Sequence, residues 1–382
     1  MRWPRLIVFG DVDAMFASSA IAANPELAGK LVAVGSPPPR GIITAASYPV
    51  RRYGVTAAMP TAHALRLCPG LVLVPPDRPL YERLHNRMRE VTDRFFPVCA
   101  WSSIDEFYAD ATDLQTVHPD PAGLGRAVKA AIFEATGLRC TLAAATGKTV
   151  AKIAADAHKP DGLAVIEPGT EAAFLAPRPV RSMPGIGPKT AESLDRLGIK
   201  TIGDLLDARL EAALRHLWGT RLAAIQALAR GVDPDPVVPD REAKSLGHET
   251  TFEQDTDDMA FLERTVHGFL GELAHDLRRE GLSAGAFTVK LKDASFAITT
   301  RQRVFPQPFH YDPSMWPAIR ESLRGLAVPG RKYRLVGLSL SKLTPATEGL
   351  FDQRTNKAMA AMDQIIDKHG AGVIRLGGLP EK

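Results

Sequence analysis

The sequence predicts an α+β multidomain protein, and three observations carry that prediction. Strand-like and helix-like segments alternate from residue 5 to residue 167. A helical, short-looped stretch occupies 168–234, and a second strand–helix–strand pattern begins near 245, beyond a Pro-rich segment. At 382 residues the chain has room for two to four domains and a substantial core.

Residues 5–11, with Leu6-Ile7-Val8-Phe9, form an apolar run short enough for a buried strand, and 71–75 form another. Leu80, Leu84, Met88, Val91 and Phe95 recur at helical spacing and predict a helix over 79–95. Residues 98–110 read as strand–turn–strand. Leu124, Val128 and Ile132 mark a further helix with Gly137 at its stop. Strands at 139–146 and 163–167 flank a helix at about 147–157. The stretch 232–243 holds three prolines among charged residues and predicts an interdomain linker. Met259, Leu262, Val266, Phe269, Leu270, Leu273 and Leu277 outline a long amphipathic helix. Strands at 245–255, 286–292, 295–304 and 333–342, with a helix at 314–326, complete a small antiparallel sheet with two helices on one face. Met359, Met362, Ile365 and Ile366 give the tail one amphipathic helix.

Composition excludes more than it assigns. No apolar run approaches the roughly 20 residues of a membrane span, and the stretch after Met1-Arg2-Trp3-Pro4-Arg5 stops at Asp11, too early for a signal peptide. A cytoplasmic, nucleoid-associated protein is expected. Cys68, Cys99 and Cys140 lack any C-x-x-C spacing, so buried thiols are expected rather than disulfides or zinc. A net charge of +4 permits nucleic-acid binding without arguing for it.

The chemistry lies in three carboxylates at two strand ends: Asp11, and the pair Asp105-Glu106. Clustered carboxylates repel unless a cation sits among them. Mg²⁺ takes oxygen ligands, and two such ions about 4 Å apart serve an in-line phosphoryl transfer. Taken alone, the trio permits any magnesium-dependent phosphoryl chemistry.

The neighbouring residues narrow it. Phe9-Gly10-Asp11-Val12-Asp13-Ala14-Met15-Phe16-Ala17-Ser18, Ala46-Ser47-Tyr48-Pro49-Val50-Arg51-Arg52-Tyr53-Gly54-Val55, Ser103-Ile104-Asp105-Glu106-Phe107-Tyr108-Ala109-Asp110 and Lys152-Ile153-Ala154-Ala155-Asp156-Ala157-His158-Lys159-Pro160-Asp161-Gly162 resemble, in order, motifs of the Y-family (translesion) DNA polymerases, DinB type. The resemblance covers about residues 5–342. It implies a right-handed polymerase with a palm at 1–20 and 74–167, fingers at 21–73, a thumb at 168–234, a linker at 235–244, a little finger at 245–342 and a tail at 343–382. It implies that Asp11, Asp105, Glu106 and the Val12 carbonyl hold two Mg²⁺ ions, with Mn²⁺ as a possible substitute. Asp13 falls outside that trio and is expected to be structural. Phe16 matches a steric gate against a ribose 2′-OH. Tyr48, Arg51 and Lys159 match residues that hold the incoming triphosphate, which suits a phenol donor, a guanidinium fork and a point charge. Ile42 and Thr44 lie over the templating base by analogy.

Met183-Pro184-Gly185-Ile186-Gly187-Pro188-Lys189-Thr190-Ala191 is a helix–hairpin–helix signal, in which Gly185, Gly187 and Lys189 can meet a DNA phosphate. Between 286 and 342 ten basic residues face three acidic ones. Lys290 and Lys292 share one strand face and Arg301 and Arg303 another, and a basic outward side is expected from both pairs.

Some positions depart from the family pattern. Ser19-Ala20 replaces a usual Val-Glu, Ala45 replaces a Thr or Ser, and Ala143-Ala144-Ala145-Thr146-Gly147-Lys148 replaces a Gly-Ile-x-x-Asn-Lys stretch. These bear on nucleotide affinity and packing, not on the carboxylates. In the tail, Leu350-Phe351 keeps the end of a sliding-clamp motif, and the stretch to Leu376 is similar to UmuC-type relatives. The expected function is a low-fidelity, distributive, monomeric DNA polymerase acting on primer-template DNA and dNTP, with the sliding clamp as a further partner. Two alternatives stand beside it: a catalytically weak or non-catalytic mutasome subunit, and a helix–hairpin–helix repair nuclease or glycosylase.

Overall fold

The computed structural model describes residues 2–239, 243–346, 361–365 and 368, and it divides into two compact units, Met1–Arg241 and Glu242–Lys382. That boundary falls in the Pro-rich stretch.

The first unit is built on a five-stranded sheet of order β5-β6-β1-β7-β8. Strand β1 (Ile7–Val12) is its central strand, and all six of its residues are buried, the apolar Ile7-Val8-Phe9 and the acid Asp11 alike. Helix α1 (Met15–Ala23) follows and leads into a three-stranded sheet of β2 (Val32–Gly35), β3 (Ile43–Ala46) and β4 (Val72–Val74), with α2 (Tyr48–Arg51) and α3 (Thr61–Leu67). The chain returns through α4 (Arg78–Phe95), β5 (Val98–Trp101), β6 (Glu106–Asp110), α5 (Pro121–Thr136), β7 (Cys140–Ala145), α6 (Lys148–His158) and β8 (Leu163–Val165). The large sheet has a core on each face. On one, Val8, Leu142 and Ala144 meet Leu84, Met88 and Val91 of α4 and Leu124, Val128 and Ile132 of α5. On the other, Phe9, Ala143 and Ala145 meet α6 and the helices beyond it. Gly10 permits the first packing, since a Cβ there would lie 2.3 Å from the Phe107 ring.

Four short helices, α7 (Glu171–Leu175), α8 (Pro188–Arg196), α9 (Glu211–Trp218) and α10 (Leu222–Ala229), share the second core through Leu175, Leu194, Leu214 and Leu222. The Pro-rich segment does not begin as a free linker. The Asp233 carboxylate accepts from the Thr149 N–H and Oγ1, both at 2.8 Å, at the start of α6. The Arg5 guanidinium donates to the Asp233 carbonyl at 2.6 Å, Lys148 donates to the Pro236 carbonyl at 3.1 Å, and Val237 is buried. Through residue 237 the segment is therefore strapped to the rest of the first unit. Cys68, Cys99 and Cys140 are free thiols; Cys68 and Cys140 are buried.

The second unit is an antiparallel sheet of order β11-β10-β12-β9, from β9 (Ser245–Thr256), β10 (Leu282–Asp293), β11 (Ile298–Phe309) and β12 (Tyr333–Pro345). Helices α11 (Met259–Arg279) and α12 (Asp312–Leu326) cover one face and bury Leu262, Val266, Leu270, Ile319 and Leu323 against Phe287, Val289 and Leu291. Residues 361–365 of the tail are helical, and Asp363 accepts from Arg278 at 2.6 and 2.8 Å. The Leu350-Phe351 segment, Met359 and Ile366 lie outside the described residues.

Candidate active site

Strand pairing builds the acidic cluster. β1 and β6 run antiparallel with Asp11 opposite Glu106, and the Val12 N–H donates to the Asp105 carbonyl at 3.0 Å. Asp11 is only 6% exposed, while Asp105 and Glu106 are half-buried.

Each carboxylate already has a partner. The Lys159 ammonium binds Asp11 Oδ2 and also pairs with Asp156 at 2.9 Å. The Lys152 ammonium donates to Glu106 Oε1 at 2.5 Å and sits 4.7 Å from the centre of the Phe9 ring. Ser103 Oγ donates to Asp105 Oδ1 at 2.6 Å and accepts from the Glu106 N–H at 3.1 Å. Burial pushes the Asp11 carboxyl up, to about 7, and Asp105 and Glu106 add to the rise against the opposing pull of Lys159. Burial works against the Lys159 ammonium, but its bonds to Asp11 and Asp156 outweigh this and raise its pKa.

Among the described residues, no three His, Cys, Asp or Glu side chains converge as a ligand set; these carboxylates are bonded to lysines and a serine. The donor set nevertheless fits a hard divalent cation. Three oxygen-bearing acids and the strand-end residue Val12 adjoin one another, and two ammonium groups already supply the positive charge the cluster demands.

Asp13 is not part of this cluster. It is 5% exposed and accepts from the Asp161 N–H at 2.7 Å, Thr141 Oγ1 at 3.0 Å and Tyr48 Oη at 3.3 Å. Its carboxylate thus joins β1, β7, α2 and the turn after α6. Tyr48 is held by that bond, and the Arg51 guanidinium lies 4.3 Å over its ring. Arg51 Nε donates to the Ala46 carbonyl at 2.9 Å. Burial and the Asp13 charge raise the Tyr48 pKa, against the opposing pull of the Arg51 and Lys159 charges. Phe16 is half-buried on α1, its ring 4.4 Å from that of Tyr81. Ile42 and Thr44 flank the buried Ile43 and point to the opposite, exposed side; Ile42 is 50% exposed.

Outside the acidic cluster, the loop before α8 is open. Gly185 has φ +87, which disfavours any side chain, and no atom lies within 4 Å of a Cβ placed on Gly185 or Gly187. Ile186 packs against the core below, and Lys189 is exposed at the start of α8.

One expectation is corrected. Lys290 and Lys292 do alternate with the buried Phe287, Val289 and Leu291 and lie on the sheet face away from the helices. Arg301 and Arg303 do not share that face. They stand directly across from Val289 and Phe287, and cross-strand partners point the same way. Arg303 accordingly pairs with Glu321 of α12 at 3.1 Å. Two further cations of this region, Arg320 and Arg324, are taken up by the buried Glu263.

Lys152 and Asp156 carry no sequence signal beyond their i, i+4 spacing on one face of α6; Lys159 follows just past the end of that helix in extended backbone.

Comparison with known proteins gives the family. The impB/mucB/samB family profile matches residues 10–156, its C-terminal domain profile 243–353, and its helix–hairpin–helix motif 168–199. A DNA polymerase IV of Methanoculleus marisnigri is 39% identical over 89% of this chain and 94% of its own, and one of Halorhodospira halophila is 36% identical over 90% and 97%. The chain belongs to the Y-family DNA polymerases. Among solved Y-family structures, a chimera of Dbh and Dpo4 superposes with a TM-score of 0.81 at 26% identity, covering 89% of this chain and 100% of that one. An insertion ternary complex of Dbh DNA polymerase gives a TM-score of 0.64 over the same coverage and identity. Y-family membership implies dependence on a divalent metal, which the donor set fits. Among the described residues no helix is long and apolar enough to cross a membrane.

Proposed function

We propose that the chain is a template-directed DNA polymerase of the translesion type, acting on primer-template DNA and a dNTP with low fidelity and low processivity. The observation that supports it is the intact trio Asp11, Asp105 and Glu106 at adjoining strand ends, with Lys159 bound to Asp11. The primer 3′-oxygen attacks the α-phosphorus in line, its bond to the β-phosphate bridging oxygen breaks, and pyrophosphate departs. Two Mg²⁺ ions, replaceable by Mn²⁺, would supply charge to both oxygens when held by Asp11, Asp105, Glu106 and the Val12 carbonyl.

The chain's own groups do the rest. Arg51 offers a fork, Tyr48 a hydroxyl donor and Lys159 a point charge to the triphosphate. Lys159 pairs with Asp11 and is available to a phosphate once Asp11 has another cation. Phe16 excludes a ribose 2′-OH, and Ile42 and Thr44 cover the templating base. Gly185, Gly187 and Lys189 hold duplex phosphate, and Lys290 and Lys292 face the backbone. The protein works as a cytoplasmic, nucleoid-associated monomer, with the sliding clamp as a partner of the tail. A non-catalytic mutasome subunit is not favoured, because the trio is complete and the relatives are named polymerases.

Primer extension by the purified protein tests this. Correctly templated dNMP addition is expected; DNA binding without extension would leave the scaffold reading instead. For the tail, deleting 343–382 should lower clamp affinity, and unchanged affinity would remove the clamp as its partner.

A further inference from the structure

The hairpin between β10 and β11 turns through Asp293-Ala294-Ser295-Phe296-Ala297 and exposes an aromatic ring. Phe296 is 58% exposed and has φ +69. A bulky residue in the left-handed region is strained and persists only where its surroundings fix it. Here they do. The Asp293 carboxylate accepts from the Ser295 N–H at 2.9 Å, Ser295 Oγ at 2.6 Å and the Ala297 N–H at 3.0 Å. The Phe296 N–H donates to the Asp293 carbonyl at 3.0 Å, and the Ala294 N–H donates to the Lys332 carbonyl at 3.2 Å. The loop's one acid is thus spent on holding the loop.

Cations surround the ring. The Arg334 guanidinium carbon lies 4.0 Å and the Lys292 ammonium 4.9 Å from its centre. Arg331 reaches Asp293 at 3.9 Å, and Lys332 is exposed beside it. The hydrophobic core of the unit does not use Phe296. A fixed, solvent-facing ring among positive charges matches an unpaired nucleobase and its flanking phosphates. Paired bases keep their faces inside the stack, so a duplex offers such a ring little beyond its last pair.

We propose that the Phe296 hairpin tip binds single-stranded DNA, with the ring stacked on an unpaired base and Lys292, Lys332 and Arg334 against the adjoining phosphates. This rests on the polymerase reading in one respect: the unpaired bases of a primer-template are those of the template ahead of the primer end.

The test compares three DNA ligands by fluorescence anisotropy: a primer-template with a base-bearing overhang, the same with an abasic overhang, and a blunt duplex. Phe296→Ala should lose about 5-fold or more in affinity for the base-bearing overhang, the range for one base–aromatic stack. It should match the wild type on the other two ligands. Phe296→Trp should restore the lost affinity. The side chain is exposed, so these variants are expected to fold. Equal affinity of Phe296→Ala and wild type on all three ligands would overturn the proposal, as would equal weakening on all three. The readout uses neither nucleotide nor metal, so it stands apart from primer extension.

Discussion

Replacing Asp13 by Ala separates a structural carboxylate from Asp11, the proposed metal ligand two residues away. Asp13 receives two short bonds, from Asp161 N at 2.7 Å and Thr141 Oγ1 at 3.0 Å, and a longer one from Tyr48 at 3.3 Å. Hydrogen bonds to a charged group contribute about 1.5–3 kcal/mol each, so the two short ones at the low end give about 3 kcal/mol. Thr141 is fully buried, and water has poor access to replace the lost partner. For a unit of this size about 1 kcal/mol shifts Tm by about 2–4 °C, so Asp13→Ala should melt about 6–12 °C lower. Tyr48 would also lose its orienting bond, so KM for the dNTP should rise more than kcat falls. Thermal denaturation and steady-state primer extension read the two effects. A variant that melts like the wild type, or one that loses kcat outright with an unchanged melting temperature, would refute this assignment.

Three further outcomes are expected. Phe16→Ala should raise ribonucleotide incorporation, measured by single-nucleotide extension with rNTP; no change would remove its role as the gate. Lys292→Ala should lower the slope of log affinity against log salt by about 1. Arg303→Ala, whose guanidinium already pairs with Glu321, should leave that slope unchanged. Asp312 is 4% exposed, its Oδ1 lacks a hydrogen-bond partner, and burial raises its pKa. The folded state therefore holds this proton more tightly than the unfolded state, and the carboxyl subtracts stability as pH rises above the unfolded value of about 3.9. Asp312→Asn should accordingly gain on the wild type in denaturant melts as pH rises from that value, whereas parallel profiles would contradict the burial argument.

Much of this was legible in the sequence because the signals were local. The apolar run ending at Asp11, the strand–turn–strand around Asp105-Glu106 and the heptad-like spacing of α4 and α11 each read within a few residues. The engagement of the acids did not, because Lys159 reaches Asp11 across 148 positions and Lys152 reaches Glu106 across 46. The strapping of Asp233 to Thr149 spans 84 positions and hides behind a composition typical of linkers. The facing of Arg301 and Arg303 was misjudged for another reason. β11 is exposed along most of its length, so it has no apolar alternation to mark its inner side. Only its register with β10 settles which way each residue points.

The most direct test of the central claim is primer extension by Asp105→Ala. The Asp105 carbonyl accepts from the Val12 N–H, which the substitution keeps, and its side chain is bonded locally by Ser103, so Asp105→Ala should leave the fold and the affinity for primer-template DNA intact. The account predicts that templated extension with Mg²⁺ is abolished while DNA binding persists. Extension at the wild-type rate would contradict it.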